Sequence, residues 1–193
     1  EWCQELGIRV LTVYAFSTEN LDRPKEELET LMDIFADAFR QVGDDPRIHG
    51  SRVRVCAIGH RELLPERVRE AIAYAEEKTA HYDDYRYNIA VAYGGRQEII
   101  QAIRQLAHKV QVGELEPDEI DTEMVSKHLY TGDLPDPDLI LRTSGEERVS
   151  NFLLWQLAYS EFYFADVYWP ALRKVDFLRA IRAYQQRQRR RGR

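Results

Sequence analysis

The sequence is poor in several residue types, and each shortage argues against a class of protein. Only two cysteines occur, Cys3 and Cys56, without a Cys-x-x-Cys or Cys/His cluster, so neither a disulfide framework nor a zinc site is indicated. No apolar run approaches the roughly 18 residues that cross a bilayer, and no signal-peptide pattern is visible. Neither a Gly-x-Gly-x-x-Gly nor a P-loop motif is present. We therefore expect a reduced, cytoplasmic protein.

The sequence also lacks a net positive charge. The formal net charge of the 193 residues is −6, so we do not expect general binding to nucleic acid. Among the 27 basic residues only five are lysines. Arginine holds its charge and presents two donors to an oxyanion, so the excess of arginine suits anion recognition, although genome composition or a salty cytosol would explain it equally well.

The apolar residues alternate between strand-like and helix-like patterns. Strands are predicted at residues 8–16, 53–59, 87–93 and 139–141, and helices at 24–42, 65–79, 95–110, 118–129 and from 176 onward. This order predicts an α/β fold with a mostly parallel central sheet flanked by helices. Without a linker or repeat, residues 1–193 are predicted to form a single domain.

The most informative segment runs from Arg142 to Gln156. It places Arg142 and Arg148 around a Gly-containing turn, with hydroxyls at Thr143, Ser144 and Ser150. A predicted strand precedes it, and an apolar, helix-like run begins at residue 152. An arginine guanidinium and the free backbone N–H groups at the start of a helix can both donate hydrogen bonds to phosphate oxygens. We interpret the segment as a phosphate or diphosphate pocket; the alternative is a surface loop with two solvated arginines.

A second polar segment, residues 17–23, also follows a predicted strand. It offers hydroxyls, a carboxylate, an amide and an arginine within seven residues. The alternative is a helix N-cap formed by Asn20 or Asp22, with Arg23 solvated. If both segments followed strands of one parallel sheet, they would lie on the same edge, where ligands bind.

Four ordered motifs carry a resemblance to a known family. They are Ala15–Asn20 with Arg23-Pro24, Asn88–Ala90 with Tyr93–Arg96, Arg142–Glu146 with Arg148–Gln156, and Tyr159–Glu161 with Tyr163-Phe164 and Trp169-Pro170. With these motifs the sequence resembles the cis-prenyltransferases, which include undecaprenyl and dehydrodolichyl diphosphate synthases. The resemblance implies a magnesium-dependent transferase that adds isopentenyl diphosphate in cis to an allylic prenyl diphosphate. The implied product is a long-chain polyprenyl diphosphate for lipid glycan carriers.

The resemblance also implies site residues. Asn20 would be catalytic and help to remove a proton; because a carboxamide is a poor base, we interpret its role as positioning a proton path toward a diphosphate oxygen. Glu161 would hold Mg²⁺, a hard cation suited to oxygen ligands. The resemblance also implies a homodimer and peripheral membrane contact through the lipid product. The implied substrate-binding residues are Ser17, Thr18, Glu19, Leu21, Arg23, Arg142, Arg148, Val149 and Ser150.

The sequence departs from the family pattern in two informative places. The family's Asp-Gly-Asn-Gly-Arg-Trp-Ala-like loop, which holds magnesium and the allylic diphosphate, does not occur between Glu1 and Arg193. We expect that an N-terminal segment precedes this sequence; the alternative is a non-catalytic partner subunit of a heteromeric cis-prenyltransferase. Leu21 stands where the family often has tryptophan, which changes one wall of the substrate site.

Two further features allow two interpretations each. An apolar helix face could line a tunnel for the growing prenyl chain or simply be core; its residues are Leu28, Leu31, Met32, Phe35 and Phe39, with Ile89 and Val91 on a neighbouring strand. The Arg-rich tail, residues 187–193, is expected to be a solvated helix end, with contact to anionic lipid as the alternative.

Overall fold

The computed structural model describes residues 1–187, so the prediction for the Arg-rich tail falls almost entirely outside the described residues. The chain separates into two compact units, Glu1–Glu98 and a second that starts at Ile99. That residues 1–193 form a single domain stays a prediction. Among residues 1–187, no helix combines the length and the apolar character needed to cross a membrane.

The first unit is an α/β layer that confirms most of the predicted elements. Its three strands form a parallel sheet in the order β1-β3-β2. The elements are α1 (Trp2–Glu5), β1 (Val10–Ser17), α2 (Lys25–Asp44), α3 (Pro46–Gly50), β2 (Val53–Ile58), α4 (Glu66–Thr79) and β3 (Tyr85–Tyr93), with 3-10 turns at Thr18–Asp22 and Arg61–Leu63. Helix α5 (Gly95–Gln111) begins at the end of this unit and continues into the second.

The core of the first unit lies between the sheet and helices α2 and α4. Met32 and Phe39 on α2 are almost fully buried, as are Ile72 on α4 and Val91 on β3. The three- and four-residue spacing of apolar side chains on α2 therefore has the packing role that amphipathic helices usually have. In contrast, three residues on the same apolar face of α2 are only partly buried, namely Leu28, Leu31 and Phe35. The accessible parts of these three side chains are compatible with a tunnel wall.

Side chains of α4 cover the outer edge of β2. The Val55 N–H donates to Thr79 Oγ1 (3.0 Å), and the Ala57 N–H donates to Glu76 Oε1 (2.9 Å). Arg61 Nη2 then donates to the Ala57 carbonyl (2.6 Å). An open sheet edge is a template for unwanted strand pairing, so these bonds protect the edge and fix α4 against the sheet.

Asp45 gives a pH-dependent prediction for this unit. Its carboxylate accepts from the Arg47 N–H (2.8 Å) at the start of α3 and from Arg47 Nη2 (2.6 Å). These hydrogen bonds, helped by the nearby charge, lower the pKa of Asp45 from 3.8 to about 2. Because the pKa is depressed on folding, the stabilisation is complete above the ordinary pKa and is lost as the pH falls toward about 2.

The measurement is an NMR titration of the Asp45 carboxyl carbon. We expect Arg47→Gln to return the pKa of Asp45 toward its ordinary value, and Arg69→Gln, on an exposed arginine of α4, to leave it unchanged. An unshifted pKa in the Arg47 variant would contradict the assigned cause.

The second unit contains a smaller parallel sheet. Strands β4 (Leu139–Arg142) and β5 (Glu161–Phe164) pair with each other, Leu139 opposite Glu161 and Arg142 opposite Phe164. The helices are α6 (Thr122–Lys127) and α7 (Lys174–Gln186), with 3-10 turns at Pro117–Glu119, Gln156–Tyr159 and Trp169–Ala171. Since β4 pairs with β5 and belongs to a second sheet, a common sheet edge for both polar segments no longer follows from topology.

Two helix predictions were wrong in this unit. The segment 118–129 is not one helix: after a 3-10 turn, Asp121 accepts from the Met124 N–H (2.8 Å) and caps a short helix that ends at Lys127. The apolar run from Phe152 forms no α-helix, because Asn151 and Leu153 have φ values of +62° and +44°. A right-handed helix excludes such angles, and only the 3-10 turn Gln156–Tyr159 forms there.

Candidate active site

The segment Ser17–Arg23 leaves the carboxyl end of β1 and leads into α2. Ser17 is the last residue of β1 and lies opposite Tyr93 of β3. Its N–H and its hydroxyl both donate to Asn20 Oδ1, at 3.0 and 3.2 Å. The amide is therefore part of a capping box in which Ser17 is the N-cap of the 3-10 turn and Asn20 is its third residue, while Pro24 precedes α2. The prediction of Asn20 or Asp22 as the N-cap was wrong, because the N-cap of the turn lies three residues before Asn20. A cap and a substrate contact are compatible, because the Nδ2 group is not used by the cap.

The other polar residues of this segment are paired locally. Arg23 Nη1 donates to Glu27 Oε1 one turn along α2, and Thr18 Oγ1 donates to Glu19 Oε2 (3.1 Å). Both members of the Arg23–Glu27 pair are about half exposed, and such pairs contribute only about 0–1 kcal/mol. A diphosphate could therefore displace Glu27 at little cost. Leu21 packs against the core.

Residues 142–151, the arginine loop, leave β4 and are anchored to the chain after β5. The Ser144 N–H donates to the Val167 carbonyl (2.8 Å), and the Gly145 N–H donates to the Ala165 carbonyl (3.2 Å). Ser144 and Ser150 have φ values of +71° and +47°. Left-handed angles at non-glycine residues cost about 1–3 kcal/mol each and concentrate at ligand sites. The loop is thus a fixed and strained structure, which suits a preorganised binding segment.

The two arginines of this loop differ in their surroundings. Arg148 forms an ion pair with Glu146, and its side chain is 64% exposed. Arg142 is half-buried, and among residues 1–187 its guanidinium has no hydrogen bond or ion pair. Val149 is half-buried, whereas Ser150 is exposed. A partly buried cation without a counter-charge favours an oxyanion that brings one.

Glu161, the expected magnesium ligand, is already paired. It begins β5, and its Oε2 accepts from Arg187 Nη1 (2.7 Å), which also donates to the Phe162 carbonyl (2.8 Å). In the part of the chain that the structure describes, no group of three or more His, Cys, Asp or Glu residues could hold a metal ion. Mg²⁺ is often bound by one or two carboxylates together with phosphates and waters. Glu161 could serve as the single carboxylate ligand of such a site if its ion pair with Arg187 is broken.

Sequence reasoning proposed the cationic residues of the candidate site but missed the partners that they have in the structure. Glu27 lies four residues after Arg23, a spacing that signals a helical ion pair. Glu146 lies two residues before Arg148, within the same loop. Arg187, by contrast, is 26 positions from Glu161, and only the fold of the second unit could reveal that contact.

Comparison with known proteins identifies the family. A family model described as "Putative undecaprenyl diphosphate synthase" matches residues 1–192. A tritrans,polycis-undecaprenyl-diphosphate synthase (geranylgeranyl-diphosphate specific) of Methanocaldococcus jannaschii is 59% identical over 193 residues, which are 99% of this chain and 69% of that protein. The protein of the same name from Methanopyrus kandleri is 60% identical, over 100% of this chain and 71% of its own length.

Solved structures lead to the same family. Lavandulyl diphosphate synthase from Lavandula x intermedia, in complex with dimethylallyl diphosphate, matches with a TM-score of 0.94 and 39% identity, over 100% of this chain and 82% of that chain. A probable undecaprenyl diphosphate synthase from Campylobacter jejuni matches with a TM-score of 0.86 and 37% identity, over 100% and 87%. The fold and the matched sequence define an α/β transferase of the cis-prenyltransferase class. More particularly, the chain belongs to the undecaprenyl diphosphate synthase family.

Proposed function

We propose that this transferase condenses isopentenyl diphosphate repeatedly with an allylic diphosphate, in cis, to make a long-chain polyprenyl diphosphate that carries glycans on a lipid. The observation that carries the proposal is the half-buried Arg142 guanidinium, which has no counter-charge among residues 1–187. It lies in a strained loop with a second arginine, Arg148, and the Ser150 hydroxyl. The names of the archaeal relatives support geranylgeranyl diphosphate as the allylic starter.

The chemistry follows from charge. When the allylic carbon–oxygen bond breaks, diphosphate leaves with its electrons and a delocalised carbocation remains. The isopentenyl double bond attacks this carbocation, and transfer of a proton to a diphosphate oxygen restores a double bond. Donors that are already in place stabilise the charge of the departing diphosphate, and Arg23 would act in this way. Arg142 and Arg148 would instead bind the diphosphate of isopentenyl diphosphate, which stays on the product chain. Bound Mg²⁺, with Glu161 as one ligand, would supply further charge neutralisation on phosphate oxygens.

The surface of the second unit supports a homodimer. Tyr159, Tyr168 and Trp169 are 77%, 74% and 61% exposed, and Val175 and Leu178 on α7 are also exposed. Exposed large apolar side chains that cluster often mark interaction surfaces, and aromatic residues are enriched in protein interfaces. We place the dimer in the cytoplasm, with peripheral membrane contact through its lipid product.

The test is synthesis of product by purified full-length protein. With radiolabelled isopentenyl diphosphate, geranylgeranyl diphosphate and Mg²⁺, we expect butanol-extractable radioactivity that chromatographs as polyprenyl diphosphate. Omission of the allylic starter and addition of a chelator are the controls, and both should abolish incorporation. If no allylic starter supports incorporation by the protein alone, but a catalytic homologue gains activity on mixing, the partner-subunit alternative replaces this proposal.

A further inference from the structure

Asn20 is held so that only one end of its carboxamide is available to a ligand. We infer that Asn20 acts in the site solely as a hydrogen-bond donor to a phosphoryl oxygen, and that Ser17 is the positioning residue that enforces this polarity. The inference deepens the proposed function and rests on it. It excludes a role of Asn20 as the proton acceptor, because a group that can only donate cannot accept a proton.

The hydrogen bonds from Ser17 identify which atom of the Asn20 carboxamide is the oxygen and which is the nitrogen. Ser17 N–H lies 3.0 Å from the Asn20 side-chain oxygen, and the Ser17 hydroxyl lies 3.2 Å from the same atom. The two ends of an asparagine amide must be assigned from their partners. A backbone N–H can only donate, so the atom that faces it must be the oxygen. The alternative rotamer would place an NH₂ group against an N–H and is excluded.

The same bonds occupy the oxygen. A carboxamide oxygen has two lone pairs, and Ser17 supplies two donors. Ser17 itself is held by the sheet, because it lies opposite Tyr93 at the end of the β1–β3 pairing. Asn20 Nδ2 has no hydrogen bond among residues 1–187. Its two N–H groups are therefore the functional part of a half-buried side chain.

Two N–H donors at a fixed position suit an anionic oxygen. Donors that are already oriented cost no reorganisation when charge develops, and removal of one such donor typically lowers kcat by 10²–10³-fold. Beside Asn20, the segment contains Arg23, whose present counter-ion Glu27 is displaceable. A diphosphate is the ligand class that would use both groups. The positioning role of Ser17 then explains why a hydroxyl residue ends β1.

The decisive variant is Asn20→Asp. Aspartate has the shape of asparagine, and its carboxylate accepts both hydrogen bonds from Ser17, so the cap is kept while both donors are lost. We expect kcat to fall about 100-fold or more, at least as far as in Asn20→Ala, with no recovery between about pH 6 and 9. If Asn20 acts as an acceptor or base, Asn20→Asp should instead retain activity or gain it as the carboxylate ionises, and that result would overturn the inference.

Ser17 is tested by a double-mutant cycle with kcat and KM measured separately. Ser17→Ala should lower kcat roughly tenfold with a smaller change in KM, Ser17→Thr should restore it, and Ser17→Ala should add almost nothing in an Asn20→Ala background. Additive losses would show that Ser17 does not act through Asn20. Thermal unfolding identifies variants that fail to fold, and Asn20→Asp is expected to melt like the wild type.

A binding measurement separates this inference from the proposed function. Calorimetric titration with inorganic pyrophosphate and Mg²⁺ does not require turnover. The donor role predicts that affinity falls from wild type to Asn20→Ala, and further to Asn20→Asp, where a negative charge replaces the donors. That order would support the donor role even in a protein that made no polyprenyl product, whereas equal affinities would overturn it.

Discussion

Arg142→Ala is expected to lower kcat/KM for isopentenyl diphosphate on the order of 100-fold, because charged hydrogen bonds contribute about 1.5–3 kcal/mol each and a guanidinium forms two to one oxyanion. The half-buried setting of Arg142 strengthens the effect, since burial weakens solvent screening. Arg142→Lys keeps the charge but removes the planar guanidinium that binds an oxyanion with two donors. We therefore expect an intermediate, roughly tenfold loss in kcat/KM. Steady-state kinetics with varied isopentenyl diphosphate provide the measurement.

Arg148 and Arg69 make this prediction specific. Arg148 is more exposed and already paired with Glu146, so part of its interaction with a diphosphate replaces an existing ion pair. Arg148→Ala should therefore lower kcat/KM roughly tenfold, less than Arg142→Ala. Arg69, an exposed arginine on α4, is the matched control, and Arg69→Ala should leave kcat/KM unchanged. Full activity of the Arg142 and Arg148 variants would disprove the assignment of the arginine loop to substrate binding.

The sequence predicted the first unit well because its patterns have only one physical solution there. The apolar spacing of α2 can be buried only on one face of a helix, and residues 53–58 and 85–93 carry the β-branched and aromatic residues typical of strands. The run from Phe152 fits a helical spacing equally well. Its backbone angles are set by the anchored arginine loop that precedes it, and no local pattern encodes that constraint.

The candidate site shows a similar limit. Residue types and spacing indicated which side chains could bind a diphosphate, but not that several of them already have partners of opposite charge. Arg23 pairs with Glu27, Arg148 with Glu146, and Glu161 with Arg187. Each pair is at least partly exposed, so each is weak enough to exchange for a substrate phosphate or a cation. Binding by exchange of ion-pair partners keeps these charges neutralised before substrate arrives. Among the proposed arginines of the site, Arg142 alone has no partner within residues 1–187.

Gly59→Ala is expected to destabilise the protein strongly. Gly59 follows β2 with φ = +130°, and an added Cβ would lie 2.1 Å from the Val91 carbonyl oxygen and 3.1 Å from the Ala92 carbonyl carbon. Both atoms belong to the backbone of β3, whose side chains at these positions are almost fully buried. Neither neighbour can give way, so we expect a loss of at least about 3 kcal/mol in the free energy of unfolding.

Gly50 provides the matched control. It is exposed at the end of α3, and an added Cβ meets no heavy atom within 4 Å, so Gly50→Ala should be neutral or stabilising by up to about 1 kcal/mol. Guanidinium unfolding of both variants gives the comparison, and a Gly59→Ala midpoint equal to that of the wild type would disprove the close approach of Gly59 to β3.

The same substitution should also affect activity. Strand β3 ends at Tyr93, which lies opposite Ser17. Displacement of this backbone should therefore disturb the hydrogen bonds between Ser17 and Asn20 and reduce activity in the protein that remains folded.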